Sequence, residues 1–162
     1  MAEKGTYLDP QAGLIIENYL RNKERYIGTP GYTEEGFAAM EKILPLNHQL
    51  VQRASKIPNL KIVFGTDAVA GSHGSNAEEF IDRVRDGGVK PLTAMISANS
   101  LGAEALGLGD QIGTIAKGFQ ADIIALDGDP LTDITAVRRV VFVMKGGVVY
   151  KNAIRKPSAK GA

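Results

Sequence analysis

The chain has 162 residues, 44% hydrophobic and 23% charged, the balance of one ordinary folded domain rather than of a disordered polymer. Nineteen Lys and Arg against eighteen Asp and Glu leave a net charge of +1 with no block of like charge, so nucleic acid and anionic membranes are not expected partners. The absence of Cys excludes thiol nucleophiles, disulfides and Cys-held metals, and His48 and His73 are the whole supply of imidazole.

In chain order, residues 13–20 (Gly-Leu-Ile-Ile-Glu-Asn-Tyr-Leu) form a short apolar run after Asp9-Pro10 and are expected to be a strand. Residues 21–31 read as a loop ending in Gly28-Thr29-Pro30-Gly31. Thr33 is a suitable N-cap for a helix carrying Phe37, Met40, Leu44, Val51 and Ala54 at helical intervals, with Pro45 expected to kink or divide it. Residues 60–67 (Leu-Lys-Ile-Val-Phe-Gly-Thr-Asp) look like a buried strand that delivers Asp67 at its C-terminal tip.

A turn follows at residues 71–75, then a capping-box-like pair, Asn76 and Glu79, starts a helix through Phe80, Ile81 and Val84 that Gly87-Gly88 closes. Pro91 opens the next helix, with Leu92, Met95, Ile96, Leu101 and Leu106 expected inward and Gly107 ending it. Beyond it come strand-like pieces at 113–115, 121–126 and 140–144. The sequence Met144-Lys145-Gly146-Gly147-Val148-Val149-Tyr150 predicts a hairpin on a two-glycine turn, and residues 151–162 are expected to fray. The division expected is a βα-rich portion over 1–108, a β-rich portion over 109–152 and a flexible tail over 153–162.

Three stretches carry a family likeness: residues 101–108 (Leu-Gly-Ala-Glu-Ala-Leu-Gly-Leu), 113–118 (Gly-Thr-Ile-Ala-Lys-Gly) and 121–126 (Ala-Asp-Ile-Ile-Ala-Leu), joined upstream by Phe64-Gly65-Thr66-Asp67. Together they resemble the end of an amidohydrolase-superfamily enzyme, of the imidazolonepropionase-related and Xaa-Pro dipeptidase-like kind, over about Glu3 to Asn152. The resemblance implies an α/β fold: the last two or three βα units of a (β/α)8 barrel, followed by part of a small β-sheet domain. It also implies a divalent metal, zinc or manganese, that activates water against an amide, peptide or related ester bond. Asp67 matches the family's metal-binding and proton-accepting Asp, at the strand end where barrel chemistry sits.

The departures are large. A complete barrel takes about 250 residues, so most of it is missing, together with the His-x-His pair, the bridging lysine and the fifth-strand His. The sixth-strand His belongs in a Glu-His-Gly-Thr context, but the chain has Glu3-Lys4-Gly5-Thr6. A binuclear site is therefore not expected from one isolated chain.

Each candidate has a plainer reading. Asp67 could simply cap the turn after its strand, and His73, in Gly71-Ser72-His73-Gly74, could touch substrate or only face solvent. His48 has no carboxylate or second His at ligand spacing and reads as a surface or packing residue. Glu34-Glu35 and Glu78-Glu79 fit first helical turns, where they complement the macrodipole. A rival hydrolase would use Ser72 in Ala70-Gly71-Ser72-His73-Gly74 as a nucleophile elbow, although no His follows His73 to serve it.

A third alternative is a catalytically inactive fragment. Open barrel edges favour a homo-oligomer or a complementing barrel half as partner. Met1 to Tyr7 lacks a leader's apolar stretch and no apolar run reaches about 18 residues, so the expected location is the cytoplasm.

Overall fold

A computed structural model describes residues 1–69 and 71–154. After a 3-10 turn at Ala2–Lys4, β1 (Tyr7–Leu8) lies parallel to β2 (Lys61–Ile62), with Tyr7 opposite Lys61 and Leu8 opposite Ile62. Three helices cross between them: α1 (Leu14–Arg21), α2 (Lys23–Tyr26) and α3 (Glu34–Ala54). Parallel neighbours require such a crossover. At the foot of the pair, Tyr7 Oη donates to Glu104 at 2.8 Å and Lys61 Nζ binds the same carboxylate at 2.6 Å.

The apolar run at 13–20 is a helix, α1, and not the expected strand. Its N-terminus has no cap of its own; the Ala12 and Gly13 amides donate to the Glu79 carboxylate at 2.7 and 3.4 Å. A buried anion from a distant helix thus takes the amides of the two residues that lead into α1 and favours the positive end of its dipole. The 21–31 loop likewise contains a helical turn, α2.

Thr33 caps α3 as expected, its Oγ1 accepting from the Gly36 amide at 3.1 Å. Pro45 lies inside α3 without dividing it, and Phe37, Val51 and Ala54 are its buried residues. Of residues 60–67 only Lys61 and Ile62 pair as strand, and the rest run on without ladder partners.

Next come α4 (Glu78–Arg85), α5 (Pro91–Ala98) and α6 (Ser100–Ala105). The capping box does not form: the Asn76 amide donates to Thr66 Oγ1 at 3.1 Å, while Glu79 turns into the interior. Pro91 opens α5 as expected, but the expected single helix is two, broken at Asn99. Leu92, Ile96 and Leu106 face solvent instead of the core, 55%, 44% and 73% exposed, whereas Ala94, Ser97 and Ala103 are buried. Helical periodicity defines an apolar face, not what covers it.

The last portion is an antiparallel sheet in the order β3 (Ile123–Leu126), β4 (Val140–Lys145), β5 (Val148–Asn152). Gly146 and Gly147 turn the β4–β5 hairpin at φ 55° and 81°, the positive-φ pair of a two-residue loop. Lys151 and Asn152 stay paired with Val143 and Phe142 and do not fray, while residues 155–162 lie outside the described residues. Residues 113–115 are not strand: Gly113, at φ 84°, presses so close to α6 that a Cβ would stand 2.7 Å from the Ala103 Cβ.

Between β3 and β4 a 3-10 turn, Ile134–Arg138, lays Ile134 and Val137 on Ile81 of α4. Phe80, Val84, Met95 and Leu126 surround this cluster, so helices and small sheet share a core. Among the described residues no helix is long and apolar enough to cross a membrane.

Candidate functional site at the ends of the parallel strands

The segments leaving β1 and β2 are gathered by one buried side chain. Arg83, 1% exposed, donates to the Val63 carbonyl at 2.8 Å, to the Gly65 carbonyl at 3.4 Å and to the Pro10 carbonyl. Its Nε donates to Glu79 Oε1 at 2.9 Å, and Glu79, 0% exposed, also holds the start of α1. The guanidinium lies 4.9 Å from the centre of the Phe64 ring, which stacks on Phe80 at 4.2 Å. The charge is paired, forked onto carbonyls and stacked on an aromatic face, the combination that makes buried arginine tolerable.

This hub fixes the Phe64-Gly65-Thr66-Asp67 stretch. A Cβ at Gly65 would sit 2.3 Å from both carboxylate oxygens of Asp9, so glycine is needed there for close approach. Thr66 Oγ1 accepts from the Ala68 amide at 3.3 Å and from Asn76. Asp67 then adopts φ 47°, a left-handed conformation that costs a non-glycine residue energy, with its carboxylate exposed.

Sequence reasoning overlooked the tyrosines beside this loop. Tyr19, Tyr26 and Tyr32 form a three-ring cluster with centroids 5.1 to 5.3 Å apart. A hydrogen bond with Tyr32 and burial push the Tyr19 hydroxyl up to about 12, and the charge of Asp67 adds to the shift. A Cβ at Gly71 would come 2.3 Å from Tyr26 Oη, so the cluster abuts the turn that carries Ser72 and His73. An irregular spacing of three tyrosines through two helices and a loop carries no periodic signal.

His73 is exposed. Ser72 is fully buried, its Oγ donating to the Val69 carbonyl at 2.8 Å and accepting from the Val69 amide at 2.9 Å. A hydroxyl locked into its own turn is not an activated, accessible nucleophile, so the elbow reading fails; Ala70, its first position, lies outside the described residues. Lys4 is exposed in the turn before β1.

Among the described residues neither Asp67 nor His73 belongs to a group of three or more metal-donor side chains. One exposed carboxylate does not make a divalent-metal site by itself. His48, expected to lack partners, instead has ligand atoms of Glu17 and Asp86 within 4.8 Å. The carboxyl of nearby Asp82 is pushed up to about 7 by burial and by the charges of Glu17, Glu79, Asp86 and Glu78.

A model of the amidohydrolase family matches residues 1–150. The chain is 31% identical over 158 residues to the ochratoxinase of Aspergillus niger, covering 93% of this chain and 30% of that protein. The crystal structure of A. niger ochratoxinase superposes with a TM-score of 0.71 at 28% identity, over 93% of this chain and 33% of that one. A Xaa-Pro dipeptidase structure gives 0.77 at 29% identity, over 94% and 36%. The chain thus spans about a third of the length of the relatives it matches.

Proposed function

Given that the chain belongs to the amidohydrolase family, we propose that it contributes the last βα units of a (β/α)8 barrel and part of the flanking β-sheet domain to a cytoplasmic hydrolase of amide, peptide or related ester bonds. The observation that carries the proposal is Asp67, held exposed at φ 47° beyond β2, the strand end where barrel enzymes place their chemistry. The family generally uses divalent metal. In this reading zinc or manganese would be held by Asp67 together with donors from a complementing polypeptide, and would supply an activated water.

The residues present divide the remaining work. Asp67 accepts the proton of the attacking water at a carboxylate oxygen. His73, exposed on the adjoining turn, contacts the substrate. Gly65, Asp9 and Arg83 position Asp67 and do not touch the reacting atoms.

The proposal includes association with a second copy or a complementing barrel half, and the exposed apolar surface is what supports that part of it. Among the described residues six hydrophobic side chains larger than Ala are buried, whereas seventeen large ones are exposed, including Leu92, Ile96, Leu106, Leu108 and Ile115. A surface so apolar favours assembly.

Hydrolysis of a Xaa-Pro dipeptide and of ochratoxin, the substrates named by the relatives, should be measured for the chain alone and mixed with a polypeptide carrying the remaining strands. Activity that falls about a thousandfold or more in Asp67→Asn, as expected when a proton-transferring ligand is lost, supports the proposal. Activity indifferent to Asp67 refutes the assignment. If neither preparation hydrolyses either substrate, the inactive self-associating fragment is the reading that stands.

A further inference from the structure

We infer that Glu17 of α1, His48 of α3 and Asp86 at the C-terminus of α4, backed by Asp82, form a zinc-binding site where the three helices meet. One imidazole with carboxylates is a donor set zinc accepts. The ligand atoms of the first three lie within 4.8 Å of one another. Tetrahedral donors about 2.1 Å from zinc stand about 3.4 Å apart, so modest side-chain rotation closes the set.

Two observations beyond the clustering point to a ligand. Asp82 is 94% buried, yet its Oδ2 has no hydrogen-bond partner, and it lies one helical turn before Asp86 on the same face of α4. His48 Nε2 is also buried without a partner. Buried polar atoms are rarely left so. Second, the space beside His48 is kept open by glycine: a Cβ at Gly13 would stand 3.0 Å from His48 Nε2 and 3.3 Å from Glu17 Oε1.

The charge inventory agrees. Arg21 takes Glu17 Oε2 at 3.2 Å and Arg83 takes Glu79, but among the described residues Asp82 and Asp86 have no cationic partner within salt-bridge distance. A divalent cation would neutralise this excess. Asp67 is not among the donors, which makes the site testable without reference to hydrolysis.

The test is zinc titration of chelator-stripped protein by calorimetry, with elemental analysis after desalting and circular dichroism to verify folding. The expected result is one tightly held zinc per chain, retained in Asp67→Ala, and weakened at least about tenfold in His48→Gln, in Asp86→Asn and in Gly13→Ala, whose methyl fills the cradle. Asp86 is exposed, so Asp86→Asn decides the matter if His48→Gln does not fold. No zinc in the wild type, equal affinity in the folded His48 and Asp86 variants, or loss of the zinc in Asp67→Ala would each overturn the proposal.

Discussion

Arg83→Met is the sharpest test of how the Asp67 loop is held. Methionine roughly replaces the aliphatic stem but removes the donors that reach Glu79, Val63, Pro10 and Gly65. It leaves Glu79, 0% exposed, as a buried carboxylate whose remaining partners are the Ala12 and Gly13 amides. Removing one member of a buried ion pair costs about 3–5 kcal/mol, a large part of the roughly 5–15 kcal/mol that keeps a domain folded. Glu79→Gln should cost less, about 1–3 kcal/mol, because the amide oxygen still accepts from Ala12 while Arg83 keeps its carbonyls. In the double variant no charge is stranded, so the two losses should fall short of additivity by about 0.5–3 kcal/mol. Urea unfolding followed by circular dichroism reads these values from midpoint shifts at constant slope. If Arg83→Met does not fold, Arg83→Lys, which keeps the charge and loses the fork, supplies a milder version of the same measurement. A loss below about 1 kcal/mol for Arg83→Met, or strict additivity of the pair, would refute the hub reasoning.

Gly65→Ala should destabilise by about 1–3 kcal/mol, because its methyl meets the Asp9 carboxylate, and the Asp9→Ala/Gly65→Ala double variant should recover most of that; urea midpoints decide. Asp67→Gly relieves the φ of 47° and should raise stability by about 1 kcal/mol, read by thermal melting; under the proposed function the same variant, mixed with the complementing polypeptide, should show no dipeptide hydrolysis. In zinc-free buffer Asp82 gives a pH signature. Its carboxyl moves from 3.8 up to about 7 in the folded chain, so the native state binds more protons than the unfolded state between those values and stability falls as pH rises through them. Asp82→Asn should remove that slope, gaining up to about 4 kcal/mol over wild type at pH 8 and nothing near pH 3.5; equal slopes for the two proteins would contradict the assignment.

The features legible in the sequence are those whose chemistry is local. Thr33 caps a helix with its own hydroxyl, Pro91 begins one because its missing N–H costs nothing there, and Gly146-Gly147 supplies the two positive φ values that a hairpin needs. Residues 13–20 were opaque because the group that anchors their start is Glu79, 66 residues beyond Gly13, which accepts from the Ala12 and Gly13 amides where α1 begins. For the same reason Asn76 and Glu79 do not form a capping box: the carboxylate that would reach back to its own helix is committed to Arg83 and to α1. His48 could not be paired by spacing, since its neighbours Glu17 and Asp86 come from helices on either side in sequence.

One helix connects the two candidate sites. At about 100° per residue, Glu17 and Tyr19 project from nearly opposite sides of α1, the first toward His48 and the second into the tyrosine cluster that feels the charge of Asp67. The start of α1 is in turn fixed by Glu79, and Glu79 by the Arg83 that holds the Asp67 loop. Displacing α1 therefore disturbs both places at once, whereas removing Asp86 touches only the three-helix junction. This asymmetry is why Asp86→Asn, an exposed change, separates metal binding at the junction from the positioning of Asp67, and why changes at Glu79 cannot.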